Sequence, residues 1–533
     1  MRRIYTEGSV GNGKRVPGFT AHDLRFTKMQ KVRTEEVQIA APAVVASSGA
    51  KANVLGRLCA VLFEQVDISF LVFFRILFGG IILWEVYRYF TYGWISRYFL
   101  EPVVNFPYYG FGWVKPWPGS GMFIHFFVLG LAAACVMLGF LYRIAAPVLF
   151  VAFTYFFLLD QTRYLNHFYL VCLISFLMCF LPAERAFSID ALLRRKIRSD
   201  VVPRWTLWLL RAQVGIPYFF GGIAKLNSDW IRGGEPMRTW LSPLTKLPGG
   251  SPAFTSDFVV YSFVIGGLLL DLLVVPLILW RRTRPFAFAA AVLFNLTNAV
   301  IFDIGIFPWL MLGALLIFFP PDLMRRFGQS FKPGTAGREA EPAQPSVIPK
   351  RTIESRACPP LSRSQKLAAG LLAAYLVVQV LLPLRHYFYP GEVNWTEEGH
   401  NFSWHMKLRT KTGEAVFTVT HPQSGQTWTI NPEDYLKPHQ LTKVITKPDL
   451  LVQFSHYLAE EKRREGYDNV EVRARTMVSL NGRQPQLLVD PNVDLAKEEV
   501  RLLPQSWIIP LTTPLASRSA EKVVTDTEDE ELP

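Results

Sequence analysis

About nine apolar stretches divide this chain, and most of them are long enough to cross a lipid bilayer as a helix. Half of all residues are hydrophobic and only 19% are charged, a balance too apolar for an ordinary soluble enzyme. The sequence therefore predicts a polytopic α-helical membrane protein. The predicted spans lie at about 68–89, 121–142, 144–160, 166–182, 205–226, 258–280, 285–302, 306–320 and 367–384.

The basic residues of the chain are concentrated between the apolar stretches. The formal net charge of +13 could indicate nucleic-acid binding, but basic loops between spans are what membrane topology requires. With a cytoplasmic N-terminus, nine spans place the basic loops at 184–204, 281–284 and 321–365 on the cytoplasmic side. We therefore expect no nucleic-acid partner, and a C-terminal region outside the cytoplasm, in the periplasm or lumen.

The remaining segments complete the predicted domain order. The predicted parts are a disordered basic tail at 1–55, a transmembrane domain of eight spans at 56–320, a cytoplasmic linker at 321–365, a ninth span at 366–385, an extracytoplasmic α+β domain at 386–515 and an acidic tail at 516–533. Within the α+β domain, alternating residues at 415–420 and 427–430 predict a hairpin. A second hairpin is predicted around Asn481-Gly482, with a helix at about 448–465 between the two.

The five cysteines of the chain have no metal-binding pattern. They form no Cys-x-x-Cys pair and have no zinc-ligand spacing, and none falls in the polar C-terminal region. The sequence therefore predicts neither a metal site nor a disulfide framework.

Lys225 places one ammonium group at the end of an otherwise apolar span. One interpretation is an anchor that extends to the lipid headgroups and pairs with Asp229, one turn further on. The other is a partly desolvated lysine that acts as a base toward a lipid-soluble acid. Polar residues from two other spans, Asn166-His167 and Asn295 to Asn298, are predicted at the same depth, which favours an enclosed polar pocket.

Several spaced motifs resemble the vitamin K-dependent gamma-glutamyl carboxylase family and its bacterial relatives. In the membrane part they lie at 158–170, which includes Asn166-His167, at 218–230, which includes Lys225, at 294–298 and at 303–307. In the C-terminal region they are Asn-Trp-Thr-Glu at 394–397, Ser-Trp-His-Met at 403–406 and Asp-Pro-Asn-Val-Asp at 490–494. The resemblance extends from about residue 58 to about 512.

The resemblance implies a reaction and a set of site residues. In that family, vitamin K hydroquinone is oxidised by O2 to the epoxide while CO2 is added to the γ carbon of a peptide glutamate, with no metal cofactor. Lys225 matches the lysine that deprotonates the hydroquinone, and His167 matches a catalytic histidine beside it. The implied cofactor-binding residues are Asn166, Tyr218, Asn295 and Asn298. The implied residues for the glutamate-containing peptide or protein are Phe402, Trp404 and Arg409.

Two departures from the animal enzymes accompany the resemblance. Asn295 stands where those enzymes have a second histidine, and an amide cannot exchange protons as an imidazole does. The cysteine pair of the animal enzymes is also missing, which favours a bacterial inner membrane as the location.

Three functions therefore stand as alternatives. The first is a glutamyl carboxylase driven by vitamin K hydroquinone. The second is an enzyme of the same scaffold that oxygenates a quinol or modifies another lipid without carboxylating protein. The third is a non-catalytic membrane protein or transporter, although the internal repeat that many transporters show is not evident here.

Overall fold

The computed structural model of the protein describes residues 61–246, 250–302, 304–323, 325–326 and 361–515. The predicted N-terminal tail, most of the predicted linker, the acidic tail and Asp303 lie outside these residues.

Each predicted span coincides with a helix. The helices are α1 (Ser69–Thr91), α2 (Gly121–Leu138), α3 (Tyr142–Leu158), α4 (Asn166–Met178), α5 (Trp205–Ala224), α6 (Asp257–Leu279), α7 (Arg284–Ile301), α8 (Phe307–Leu315) and α9 (Arg363–Leu384). Among the described residues, five helices are long and apolar enough to cross a membrane, namely α1, α2, α6, α7 and α9 with its short extension. The protein is thus a mainly helical membrane protein with five candidate spans, and nine crossings remain a prediction.

Shorter elements connect the helices. Strands β1 (Gln65–Asp67) and β2 (Val201–Pro203) pair antiparallel just before α1 and α5, so they hold the starts of these two helices together. Short helices lie at Ile189–Leu193, Met237–Leu241 and Val393–Thr396.

Helix α6 closely approaches α5 at two glycines of α5, Gly221 and Gly222. A Cβ atom on Gly222 would lie 2.6 Å from the Leu272 side chain and 3.2 Å from its backbone nitrogen. Small residues at such a crossing let two membrane helices pack backbone to backbone. The consequence is that Lys225, at the end of α5, lies beside Asp271 in the middle of α6.

The C-terminal region forms an antiparallel sheet with helices, as predicted. Strands β3 (Lys411–His421), β4 (Gln426–Ile430), β5 (Glu471–Leu480) and β6 (Gln486–Leu487) are arranged in the order β4-β3-β5-β6. Both predicted hairpins are confirmed, since β3 pairs with β4 and β5 pairs with β6. Asn481 and Gly482 follow β5 with φ angles of 52° and 74°, the backbone region that Asn-Gly turns favour.

Two helices follow the first hairpin, α10 (Pro438–Val444) and α11 (Pro448–Arg464). The second confirms the helix predicted at about 448–465. Its buried residues, including Leu451 and Phe454, pack against the sheet in one hydrophobic core.

The C-terminal domain is packed against loops of the helical domain. Val104 and Phe106, from the loop after α1, belong to the core of the C-terminal domain. The Gln440 amide donates hydrogen bonds to the Val104 carbonyl at 2.9 Å and to the Asp160 carboxylate at 3.2 Å. These contacts place the C-terminal domain directly over the ends of the helices that carry the polar motifs.

Candidate active site

A cavity of about 1140 Å³ lies between the helices and the C-terminal domain. One wall is apolar and consists of α6 and α7 side chains, including Leu269, Leu273 and Leu293. The other walls carry polar and charged groups from α4, from the end of α5 and from residues 400–411. Its volume slightly exceeds the roughly 300–1,000 Å³ that is common for ligand pockets, which leaves room for a lipid-sized molecule.

Lys225 is buried at the cavity wall and paired with Asp271. Lys225 Nζ lies 2.5 Å from Asp271 Oδ2, and both side chains are less than a tenth exposed. The ammonium also lies 5.4 Å from the centre of the Trp230 ring, which favours a cation. The side chain therefore faces the interior, and the interpretation of Lys225 as a headgroup anchor is wrong.

Asp229, the predicted partner of Lys225, is bound to the C-terminal domain instead. Arg483 donates two hydrogen bonds of 2.6 Å to the Asp229 carboxylate, and Asn481 donates a third of 2.8 Å. A bidentate arginine is the strongest of the common carboxylate partners. It explains why the carboxylate turns away from Lys225, and it holds the pKa of Asp229 below its usual value despite burial, which alone would raise it.

Three polar residues of the predicted pocket line the cavity with Lys225, namely Asn166, His167 and Asn298. The His167 ring lies between Phe168 and Phe307, at ring distances of 4.9 and 5.9 Å. The Asn166 amide is partly engaged, because it donates to the His405 carbonyl at 3.1 Å and accepts from the Tyr164 hydroxyl at 2.9 Å. Asn166 therefore also joins α4 to the C-terminal domain.

The two other predicted cofactor residues differ in position. Tyr218 lines the cavity from α5. Asn295 is buried outside the cavity lining, and its amide donates to the Ala291 carbonyl of its own helix at 2.8 Å. The structure therefore does not place Asn295 where it could touch a ligand in this cavity.

The far end of the cavity carries a cluster of charged side chains around Glu397. Arg409 donates two hydrogen bonds to this buried carboxylate, at 2.6 and 2.5 Å, and lines the cavity. Lys411 and Lys447 lie 3.5 and 3.9 Å from the same carboxylate and also line the cavity. Burial alone would raise the pKa of Glu397, but Arg409 and the two lysines hold it well below its usual value.

The cluster has more cations than its carboxylate neutralises. The ammonium of Lys443, another lining residue, has no ion-pair or hydrogen-bond partner within the described part of the chain. The residue is exposed overall, but desolvation of its ammonium, with Lys447 and Arg409 nearby, lowers its pKa to about 8. Burial also lowers the pKa of Lys411 to about 8, although Glu397 opposes the shift. An excess of partly desolvated cations is the expected environment for an anionic ligand.

Comparison with known families agrees with this arrangement of two parts. Residues 63–323 match the family model described as the HTTM domain. Residues 364–514 match the model described as vitamin K-dependent gamma-carboxylase, lumenal domain. The chain belongs to the vitamin K-dependent gamma-carboxylase family. Membership indicates a carboxylase-like membrane enzyme that uses vitamin K, and no solved structure matches the chain.

Two of the residues that we expected to bind the peptide, Phe402 and Trp404, do not line the cavity. Trp404 is buried against Tyr169, at a ring distance of 5.0 Å. Phe402 packs among aromatic rings, including Tyr164 at 5.4 Å, with the Arg385 guanidinium above it. Both side chains support the cavity wall from behind, and of the three predicted peptide residues only Arg409 faces the cavity.

Sequence reasoning assigned no role to two carboxylates of this site, those of Asp271 and Glu397. Asp271 is an acidic residue in the middle of an apolar span, and such residues usually mark function. That signal was available in the sequence. Glu397 ends the Asn-Trp-Thr-Glu motif at 394–397, but a glutamate in a polar loop is ordinary and the motif assigned it no role.

The described residues contain no group of three or more His, Cys, Asp or Glu side chains that could hold a metal ion. This observation does not test the predicted absence of a metal from the reaction, which stays a prediction.

Proposed function

We propose that this protein carboxylates the γ carbon of peptide glutamate and couples that reaction to oxidation of vitamin K hydroquinone to its epoxide. The observation that carries the proposal is that one cavity is lined both by the Lys225–Asp271 pair and by the cluster of charged side chains around Glu397. One end suits a proton transfer from a lipid-soluble hydroxyl, and the other suits a carboxylate. A coupled reaction needs both within one enclosed space.

The residues at the membrane end fit vitamin K hydroquinone. Leu269, Leu273 and Leu293 offer an apolar wall for its ring and tail. Asn298 and His167 line the same cavity as Lys225 and offer hydrogen-bonding groups for its hydroxyl groups. When bound and oxidised by O2, this group supplies the strong base that removes a γ proton from glutamate.

Lys225 and Asp271 together would accept the hydroxyl proton. As an ion pair the two side chains carry no net charge, and taking one proton gives the pair a charge of +1. The added proton can reside on Asp271 Oδ2 when Lys225 Nζ is already an ammonium, or on Nζ when the carboxyl holds the first proton. The positive charge then lies beside the negative charge that the hydroxyl oxygen develops.

The C-terminal end of the cavity would bind the glutamyl side chain. Arg409, Lys443 and Lys447 direct positive charge into the cavity. This charge attracts the carboxylate of the substrate and stabilises the additional negative charge that appears when the γ carbon loses its proton. Water would have to be kept away from that carbon, because it would otherwise protonate the carbon before CO2 adds.

The proposal includes the topology that the reaction needs. Helices α1 to α9 would each cross or enter the membrane, with a cytoplasmic N-terminus and the residues after about 386 in the periplasm or lumen. This arrangement is supported by the two matched ranges, 63–323 and 364–514, which leave most of the predicted linker between them. We infer a bacterial inner membrane from the lack of a cysteine framework.

One observation favours the second candidate, a quinol-oxygenating enzyme that does not carboxylate protein. Arg409 already forms two hydrogen bonds with Glu397, so its guanidinium is not free to bind a substrate carboxylate in the same way. The remaining cations of the cluster must then provide the binding.

Purified protein supplied with vitamin K hydroquinone, O2 and labelled CO2 tests both candidates. A peptide with one glutamate is the substrate, and the same peptide with glutamine is the control. We expect label in the glutamate peptide alone, together with the epoxide. Epoxide without label would support the second candidate, and the absence of both products would contradict both.

A further inference from the structure

His405 presents an unused imidazole to the cavity. Its side chain is 5% exposed, it lines the cavity, and neither Nδ1 nor Nε2 has a hydrogen-bond partner among the described residues. Buried polar groups in folded proteins are nearly always hydrogen-bonded. Two unpartnered nitrogens at a cavity wall therefore indicate that a bound ligand provides a hydrogen-bond partner.

His405 lies between the membrane end of the cavity and the cluster of charged side chains around Glu397. Its carbonyl accepts a hydrogen bond from Asn166 at the membrane end. Its ring lies 5.3 Å from the His400 ring, which contacts Arg409 at the cation cluster. The next residue, Met406, reaches Gly221, one turn before Lys225.

Its surroundings keep the imidazole neutral. Burial lowers the pKa of His405 to about 3, and nearby His386 and Arg409 act in the same direction, whereas Glu397 opposes them. A neutral imidazole has one N–H donor and one acceptor nitrogen. The donor can bind a carboxylate without giving up its proton.

Two other donors at this end, Arg409 and Lys411, are already engaged, whereas the ammonium of Lys443 is free of partners among the described residues. Arg409 donates to Glu397 and contacts His400. Lys411 donates to the Trp395 and Thr446 carbonyls at 2.8 and 2.6 Å. His405 therefore supplies a hydrogen-bond donor that these neighbours cannot.

We propose that His405 is a catalytic residue that donates an N–H hydrogen bond to the carboxylate of the bound glutamyl side chain. This inference rests on the proposed function. When the γ C–H bond breaks, the proton leaves to the base supplied by vitamin K hydroquinone and O2. The electron pair spreads from the γ carbon onto the carboxylate oxygens, so the side chain gains a second negative charge. The hydrogen bond from His405 strengthens as that charge develops, and the γ carbon then forms the new C–C bond with CO2.

Two substitutions of His405 test the proposal. His405→Phe keeps a ring of similar shape without a donor, and His405→Gln keeps a side-chain N–H. With saturating peptide, we expect His405→Phe to lower carboxylation and tritium release from the γ carbon about 100-fold, as loss of one such donor does in other enzymes. Epoxide formation persists, so the ratio of epoxide to carboxylated product rises, and His405→Gln restores most of the carboxylation. His456→Phe, on the surface of the same domain, leaves all rates unchanged.

A binding measurement separates this inference from the proposed function. Calorimetry compares a glutamate peptide with its glutamine counterpart, and we expect His405→Phe to reduce the preference for glutamate about tenfold, with recovery in His405→Gln. If these binding preferences are observed but the wild-type protein does not carboxylate the peptide, the contact stands and the proposed function fails. An unchanged preference in His405→Phe, or an equal fall of epoxide and carboxylation, would overturn the role of His405.

Discussion

The Nζ atom of Lys225 lies 2.5 Å from Oδ2 of Asp271, and both groups are buried in the membrane part of the protein. The two residues are on different helices, brought together where Gly222 lets α5 approach α6. A single buried charge would be costly, whereas a pair can be held inside and can take up a further proton. We therefore propose that the base predicted from the sequence is this pair of residues and not Lys225 alone.

The first prediction concerns the stability of this pair. Lys225→Met or Asp271→Leu alone leaves one buried charge without its partner, so we expect each to lower the free energy of unfolding by about 3 kcal/mol or more. The double variant removes both charges and should recover most of that loss. Thermal unfolding in detergent, analysed as a double-mutant cycle, measures the coupling. Additive losses in the double variant would show that the two groups do not interact.

The second prediction concerns the link between the C-terminal domain and Lys225. Arg483 binds Asp229, and the adjacent Trp230 is anchored to the Val264 carbonyl at 3.0 Å beside the lysine. We expect Arg483→Ala to lower the rate of epoxide formation about tenfold, because a small displacement of Lys225 weakens proton transfer. Arg473→Ala is the matched control, since this residue lies on β5 with an exposed side chain. Equal activity of the two variants would count against the link.

The third prediction concerns the apolar wall of the cavity. A Cβ atom on Gly266 would meet nothing within 4 Å, and this glycine lines the cavity. We therefore expect Gly266→Phe to fold normally, to fill space that the hydroquinone needs and to raise its KM about tenfold, a cost of about 1.4 kcal/mol in binding. Gly370→Phe on α9 is the control, because Gly370 is equally open but lies outside the lining. Initial rates at a series of hydroquinone concentrations give both KM values.

The fourth prediction concerns acid stability. Burial lowers the pKa of His405 to about 3, and burial with Arg409 lowers that of His400 well below its usual value. Unfolded histidine binds a proton near pH 6.5, so the unfolded state binds more protons and stability falls as pH drops below about 6.5. Glu397, whose pKa is depressed, adds a further loss below about pH 4.3.

Unfolding of the wild-type protein and of His405→Phe, measured between about pH 4.5 and pH 7.5, checks this expectation. About two pH units below 6.5 are enough to measure the slope of the unfolding free energy against pH. Removing one histidine should reduce the slope by up to about 1.4 kcal/mol per pH unit. A slope that is the same in both proteins would mean that His405 already titrates normally in the folded state.

Patterns within short segments predicted much of the fold. Apolar stretches of membrane length gave the positions of the nine helices, and alternation with an Asn-Gly turn gave both hairpins. The partners of charged residues were not predictable in the same way. Asp229 binds Arg483, which is 254 residues away, and no local pattern encodes that contact.

The sequence predicted how deep the site residues lie in the membrane, but it predicted less well which way their side chains point. Asn298 and Asn295 were placed at the same level, yet only Asn298 faces the cavity. Phe402 and Trp404 were expected to bind peptide, but both have positive φ angles, 65° and 60°. Such angles are uncommon for bulky residues, so a sequence pattern does not reveal the turn that points these rings away from the cavity.

Epoxide formation by Asp271→Asn tests the central claim most directly. Asparagine keeps the shape and hydrogen-bonding capacity of the side chain but cannot take up a proton, so the pair with Lys225 loses its function as a neutral acceptor. With saturating vitamin K hydroquinone and glutamate peptide, we predict a rate at least about 100-fold below wild type. Lys225→Ala should show a similar loss, and Lys497→Ala, an exposed lysine, none. An Asp271→Asn protein that forms epoxide at the wild-type rate would contradict the assignment of these two residues as the proton acceptor.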